Sequence, residues 1–156
     1  MSDTYYVKTF GGLEITNDNV TVNIVELFGK QLVNLLQVLL FHSEKPVQKD
    51  ELIDILWPES KNPSSALKFS IFRLRAELNE IEFFKDKEVI VTTRKGYILN
   101  PNLDWNIDFV ELEKAYNQIN DGSELLDEKE FKTARKIFRL YQGRFYASPS
   151  QLHLIL

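Results

Sequence analysis

The chain has 156 residues, 44% hydrophobic and 27% charged, which is the composition of a folded soluble protein and not of a disordered one. It has no cysteine and only two histidines, His42 and His153, which excludes disulfide scaffolds, thiolate chemistry and multi-histidine metal centres. Nineteen basic against 23 acidic residues give a net charge of −4, an overall sign that argues weakly against a nucleic-acid partner.

Residues 5–25 read as short strands. Tyr5 to Phe10 is aromatic and β-branched, Gly11-Gly12 is a turn signal, Leu13 to Thr16 alternates with period 2, and Asn17-Asp18-Asn19 is turn chemistry before Val20-Thr21-Val22. A small antiparallel sheet is expected. Over residues 28–79 the period changes to that of helices. Leu32, Leu35, Leu36, Leu39 and Leu40 mark the first helix, and Leu52, Ile53, Leu56 and Trp57 mark one face of a second, stopped by Pro58. Asn62 and Pro63 form an N-cap and N1 pair for a third helix reaching about Asn79, with Leu67, Ile71, Leu74 and Leu78 as its core stripe.

Val89 to Thr93 and Gly96 to Leu99 flank Arg94-Lys95, a hairpin with a basic tip. Further on, Asp108 and Glu111 have capping-box spacing for a helix to about Ile119. Phe131, Ala134, Ile137, Phe138 and Tyr141 space a last helix that Gly143 would cap. The ending Leu152-His153-Leu154-Ile155-Leu156 carries no polar cap, so a truncated helical array is expected there. No targeting segment or membrane span is legible, and a cytoplasmic location is expected.

The charges are segregated. Between Glu59 and Glu77 there is no acidic residue, while Lys61, Lys68, Arg73 and Arg75 fall in that window. Acids collect in the second helix at Asp50, Glu51 and Asp54. A short helix, a turn, a basic helix and a basic-tipped hairpin are the layout of a winged helix. In that layout one helix enters the major groove and the wing grips the flanking backbone or minor groove. Arg73 is the candidate for bidentate guanine reading, with Lys68 and Arg75 on phosphates. Ser64 and Ser65 in the first turn offer a hydroxyl and N–H groups to a phosphate, or simply cap the helix. Phe69 and Phe72, opposite the core stripe, press on thymine methyls, form a protein interface or pack under a following domain.

Nothing points to catalysis. Gly11-Gly12 alone makes no phosphate-binding loop, the second-helix carboxylates read as solvated surface, and His42 reads as a partner of a helix C-terminus. No enzyme activity, catalytic residue, metal or cofactor is expected.

The runs "VQKDELIDILWPES", "ALKFSIFRLRAEL" and "VIVTTRKGYIL" resemble the OmpR/PhoB-type winged helix. With "YYVKTFGGLEI" before them, and "LDWNIDFVELEKAY" and "ARKIFRLYQGRF" after, the chain resembles the Streptomyces antibiotic regulatory protein family. The resemblance implies an α+β fold with a winged-helix DNA-binding domain over residues 1–102. A partial bacterial transcriptional activator domain of tetratricopeptide-like helices would occupy residues 103–156. It implies recognition-helix contacts at Ser65, Lys68, Phe69, Phe72 and Arg73, with Arg75 nearby, and wing contacts at Thr92, Arg94, Lys95 and Tyr97. Trp57 would be a core residue. The partners implied are double-stranded DNA, a second copy on direct repeats, and RNA polymerase or another protein through the helical tail, with no membrane. Three features depart from the family pattern: a shorter wing tip, Phe72 at a usually polar position, and 12 basic against 14 acidic residues over residues 1–100.

Overall fold

The computed structural model describes residues 4–120, with side chains through residue 115. The last helix and closing segment read from the sequence lie outside the described residues.

Strands β1 (Thr4–Lys8), β2 (Glu14–Asn17) and β3 (Val20–Asn23) form the expected antiparallel meander. A fourth strand, β6 (Asp104–Ile107), joins β1 in parallel, so the sheet is mixed with order β3-β2-β1-β6. Leu103, Trp105 and Ile107 alternate with Asp104, Asn106 and Asp108, the period of a strand. The reading of residues 105–156 as helical passed over it. The strand also lies beyond the 102/103 division, so the sheet crosses the expected domain boundary.

Helix α1 (Ile24–Leu27) is a single turn that the sequence reading did not anticipate, capped where Asn23 Oδ1 accepts the Glu26 N–H at 3.2 Å. Then come α2 (Lys30–Phe41), α3 (Lys49–Leu56) and α4 (Pro63–Asn79), followed by a 3₁₀ turn at Glu82–Phe84. The hairpin of β4 (Ile90–Thr93) and β5 (Gly96–Leu99) closes the helical part, and α5 (Asp108–Asn120) follows β6.

One core unites these parts. The α2 stripe Leu32, Leu35, Leu36, Leu39 and Leu40 is buried as expected, and so is the α4 stripe Leu67, Ile71, Leu74 and Leu78. On α3 the buried residues are Leu52 and Ile55, while Ile53, Leu56 and Trp57 are only partly buried. The helix is turned about one residue from the expected face. Tyr5 carries the sheet into this core, with ring centroids 4.8 Å from Phe84 and 5.3 Å from Trp105.

Asp108 acts differently from a capping-box residue. Its carboxylate accepts the backbone N–H of Thr9 and Phe10 and the Thr9 hydroxyl, as well as the Phe109 N–H. It thereby ties the end of β1 to the start of α5. Near the C-terminus of α2, Lys114 of α5 pairs with Glu44 at 3.1 Å. Burial raises the Glu113 carboxyl above its ordinary range, and the nearby His42 partly opposes that shift. Among the described residues no helix is long and apolar enough to cross a membrane.

Candidate nucleic-acid interface

The outward face of α4 follows from its sequence. Its apolar stripe is committed to the core, so Ser65, Lys68, Phe69, Phe72, Arg73 and Ala76 are left exposed. Phe69 is 62% exposed and Phe72 70%, the two most exposed large hydrophobic side chains of the described residues. Arg73 leans over the Phe69 ring, 5.9 Å from its centroid, and pairs with Glu77 at 3.2 Å. Such an exposed i,i+4 pair is worth only about 0.3–0.5 kcal/mol, so a stronger anionic acceptor readily takes the guanidinium from it.

The first turn of α4 differs from the expected cap. Asn62 stands at the N-cap position but makes no side-chain hydrogen bond into the helix, and Pro63 takes N1. Ser60 Oγ instead accepts the Asn62 N–H at 3.2 Å, bracing the loop before the helix. Ser64 and Ser65 are both exposed at this uncapped turn.

The wing sits on a bridge between two backbone segments. The Val47 N–H donates to the Tyr97 carbonyl at 2.8 Å, and the Tyr97 N–H returns to the Val47 carbonyl at 3.0 Å. Gly96 makes this approach possible. Its φ is +137°, and a Cβ there would lie 1.9 Å from the Val47 carbonyl oxygen. At the tip, Thr93 Oγ1 donates to the Gly96 carbonyl at 3.0 Å and accepts the Lys95 N–H at 3.1 Å. Arg94 and Lys95 project from that turn, exposed like Thr92 behind them.

Arg75 and Tyr97 have other surroundings than the sequence reading gave them. The Arg75 guanidinium donates to the Ile90 carbonyl from Nε at 3.2 Å and from Nη2 at 3.1 Å, and Nη2 also reaches Thr92 Oγ1 at 2.7 Å. It clips α4 to β4, where the reading from sequence had put it on a phosphate. Tyr97 is 5% exposed, a core ring and not a surface contact. The Arg75 guanidinium and the Lys49 ammonium each lie 5.9 Å from its centroid. Lys49, exposed at the start of α3, is a cation beside the wing that sequence reasoning missed. The long-range Val47–Tyr97 bridge, two residues before it, brings the start of α3 to the wing.

α3, the turn, α4 and the wing form a winged helix. Residues 23–99 match the family model described as "Transcriptional regulatory protein, C terminal". The matched segment runs from the cap of α1 to the end of β5 and so contains the whole α4–wing unit. The chain is similar in fold to Mycobacterium tuberculosis EmbR, solved in complex with a low affinity phosphopeptide. That likeness has a TM-score of 0.52 and 20% identity over 97% of this chain and 41% of EmbR, so the chain spans about two fifths of that protein. The DNA-binding domain of E. coli CadC is 26% identical, with a TM-score of 0.45, over 60% of this chain and 89% of that one. No curated protein sequence matches.

Proposed function

We propose that the chain is a sequence-specific, DNA-binding transcription regulator, or a piece of one, that lays α4 in the major groove and sets the wing on the flanking backbone. The match of residues 23–99 supports a transcription regulator in general terms. One observation carries the finer reading. The solvent face of α4 holds Lys68 and Arg73 with no carboxylate before Glu77, and Arg75 clips that helix to a wing whose exposed tip is Arg94-Lys95.

In this reading Arg73 leaves Glu77 for a guanine edge, where its fork matches the O6 and N7 acceptors. Lys68, Arg94 and Lys95 take phosphates, with Thr92, Ser64 and Ser65 supplying neutral donors and Lys49 a further cation. Arg75 and Tyr97 hold the wing in register from behind. No chemistry beyond binding is assigned, and no metal or cofactor. The division into a DNA-reading unit (residues 1–102, extended by β6) and a helical activator-type unit (within 103–156) belongs to this proposal. So do a cytoplasmic location, membership of the Streptomyces antibiotic regulatory protein family, a second copy on direct repeats, and a protein contact such as RNA polymerase through the tail.

The test is selection from random duplex oligonucleotides by the purified chain at two salt concentrations. An enriched motif is expected. If about six phosphates are contacted, log affinity should fall against log salt with a slope near −5. No enriched motif together with a flat salt response would overturn the reading. The exposure of Phe69 and Phe72 favours a second reading, a winged helix that docks protein through those rings.

A further inference from the structure

Phe69 and Phe72 stand one turn apart on the solvent face of α4, within a cationic surround. Lys68 precedes one ring and Arg73 follows the other, leaning over Phe69. A protein partner that covered both rings would also have to neutralise or desolvate these cations. A duplex brings the opposite charge with it, and the apolar group it displays along the major groove is the C5 methyl of thymine. Residues three apart share one helix face, with Cβ atoms about 5–6 Å apart, so both rings face the same stretch of groove.

We propose, as a deepening of the DNA-reading function above and resting on it, that Phe69 and Phe72 are specificity-determining residues that bury thymine methyl groups. The recognised sequence then places thymines on the steps adjoining the guanine taken by Arg73. The contribution of the rings is apolar, so it adds discrimination without adding counterion release. A chain whose net charge is −4 gains specific affinity this way without gaining the non-specific, electrostatic kind.

The test replaces thymine by deoxyuridine, one position at a time, in the duplex selected by the full chain. The replacement removes only the methyl and leaves every hydrogen-bonding group in place. One or two positions beside the essential guanine should lose about fourfold in affinity each, the value of one buried methyl-sized group. In the Phe69→Ala, Phe72→Ala double variant the same replacements should have no effect, and the salt slope should match that of the unaltered chain. Both side chains are largely exposed, so the variant opens no core cavity, and an unchanged circular dichroism spectrum and melting temperature check this. If deoxyuridine is tolerated everywhere while a selected motif and a steep salt slope persist, this inference is overturned and the DNA-reading function stands. If the double variant keeps full DNA affinity but changes oligomeric state in sedimentation, the rings dock protein and the inference is likewise overturned. Failure to select any motif, with no salt dependence, removes both.

Discussion

Two of the regions where the described residues expose apolar surface have surroundings of opposite charge. On α4, Phe69 and Phe72 lie beside Lys68 and Arg73. On the other, Val20 (55% exposed), Val22, Leu27 (60% exposed), Phe28, Ile81 and Phe83 line a groove of about 420 Å³ bordered by Glu77, Glu80 and Glu82. The two regions expose similar hydrophobic side chains, so hydrophobicity alone cannot say what either meets. The charged border decides. A polyanion is drawn to the first and repelled by the second over a Debye length of about 10 Å at 0.1 M salt. The divide falls at Glu77, which lines the groove and also pairs with Arg73. A net charge of −4, a total over the whole chain, therefore describes neither face.

The largest effect should come from removing the seat of the cationic face. Gly96→Val places a Cβ against the Val47 carbonyl oxygen and puts a β-branched residue at φ +137°. The atoms it would meet, the Val47 carbonyl carbon and oxygen and Gln48 Cα, are backbone and cannot swing away. We expect a loss of about 3 kcal/mol or more, read as a midpoint lowered by roughly 6–12 °C in thermal unfolding. An unchanged midpoint would mean that the wing is not anchored through Val47.

Next is a pair of substitutions that separates the cation that holds the face from one that uses it. Arg75→Met removes the bonds to Ile90 and Thr92 and the cation over the Tyr97 ring, and keeps an unbranched side chain in place. It should cost about 1–2 kcal/mol in urea unfolding. Lys95→Ala, at the exposed tip, should leave stability unaltered and shallow the salt slope by about one unit. A reversed pattern, with stability falling for Lys95 and not for Arg75, would reverse their roles.

The distinction between those two residues also marks what the sequence made legible. The helical stripes, the sheet meander and the basic-tipped hairpin were readable because each is local periodicity with its turn signals nearby. The acid-free window from Ser60 to Ala76 gave the cationic face for the same reason. What escaped depends on pairs far apart in the chain. β6 is a four-residue strand whose partner β1 lies about 100 positions earlier, so its own pattern was too short to outweigh the helix after it. Tyr97 looked like a wing contact because the bridge that buries it involves Val47, fifty positions away. Arg75 reads as a phosphate contact because its acceptors are on another element, and backbone carbonyls leave no trace in composition. Asp108 had the spacing of a helix cap, yet it spends its carboxylate on the end of β1. The groove, assembled from β3, α1, α4 and the 3₁₀ turn, had no contiguous signature at all.

The smallest effect tests the repelling border itself. Glu80 and Glu82 are exposed, and neither has an ion-pair partner among the described salt bridges, which involve Arg73 and Lys114. In a Glu80→Gln, Glu82→Gln variant the chain loses two negative charges without losing a contact. Affinity for a random duplex should rise about twofold at low salt and return to its former value as salt screens the difference. Affinity for the selected site should rise by the same factor, because charges that touch no base act on every sequence alike. A gain well above tenfold that favoured the selected site would put these carboxylates against the DNA. The groove would then belong to the reading face, and the contrast between the two apolar regions would be lost. A twofold gain shared by all sequences keeps the faces separate: one concentrates the cations where bases are read, and the other holds the acid that limits non-specific binding.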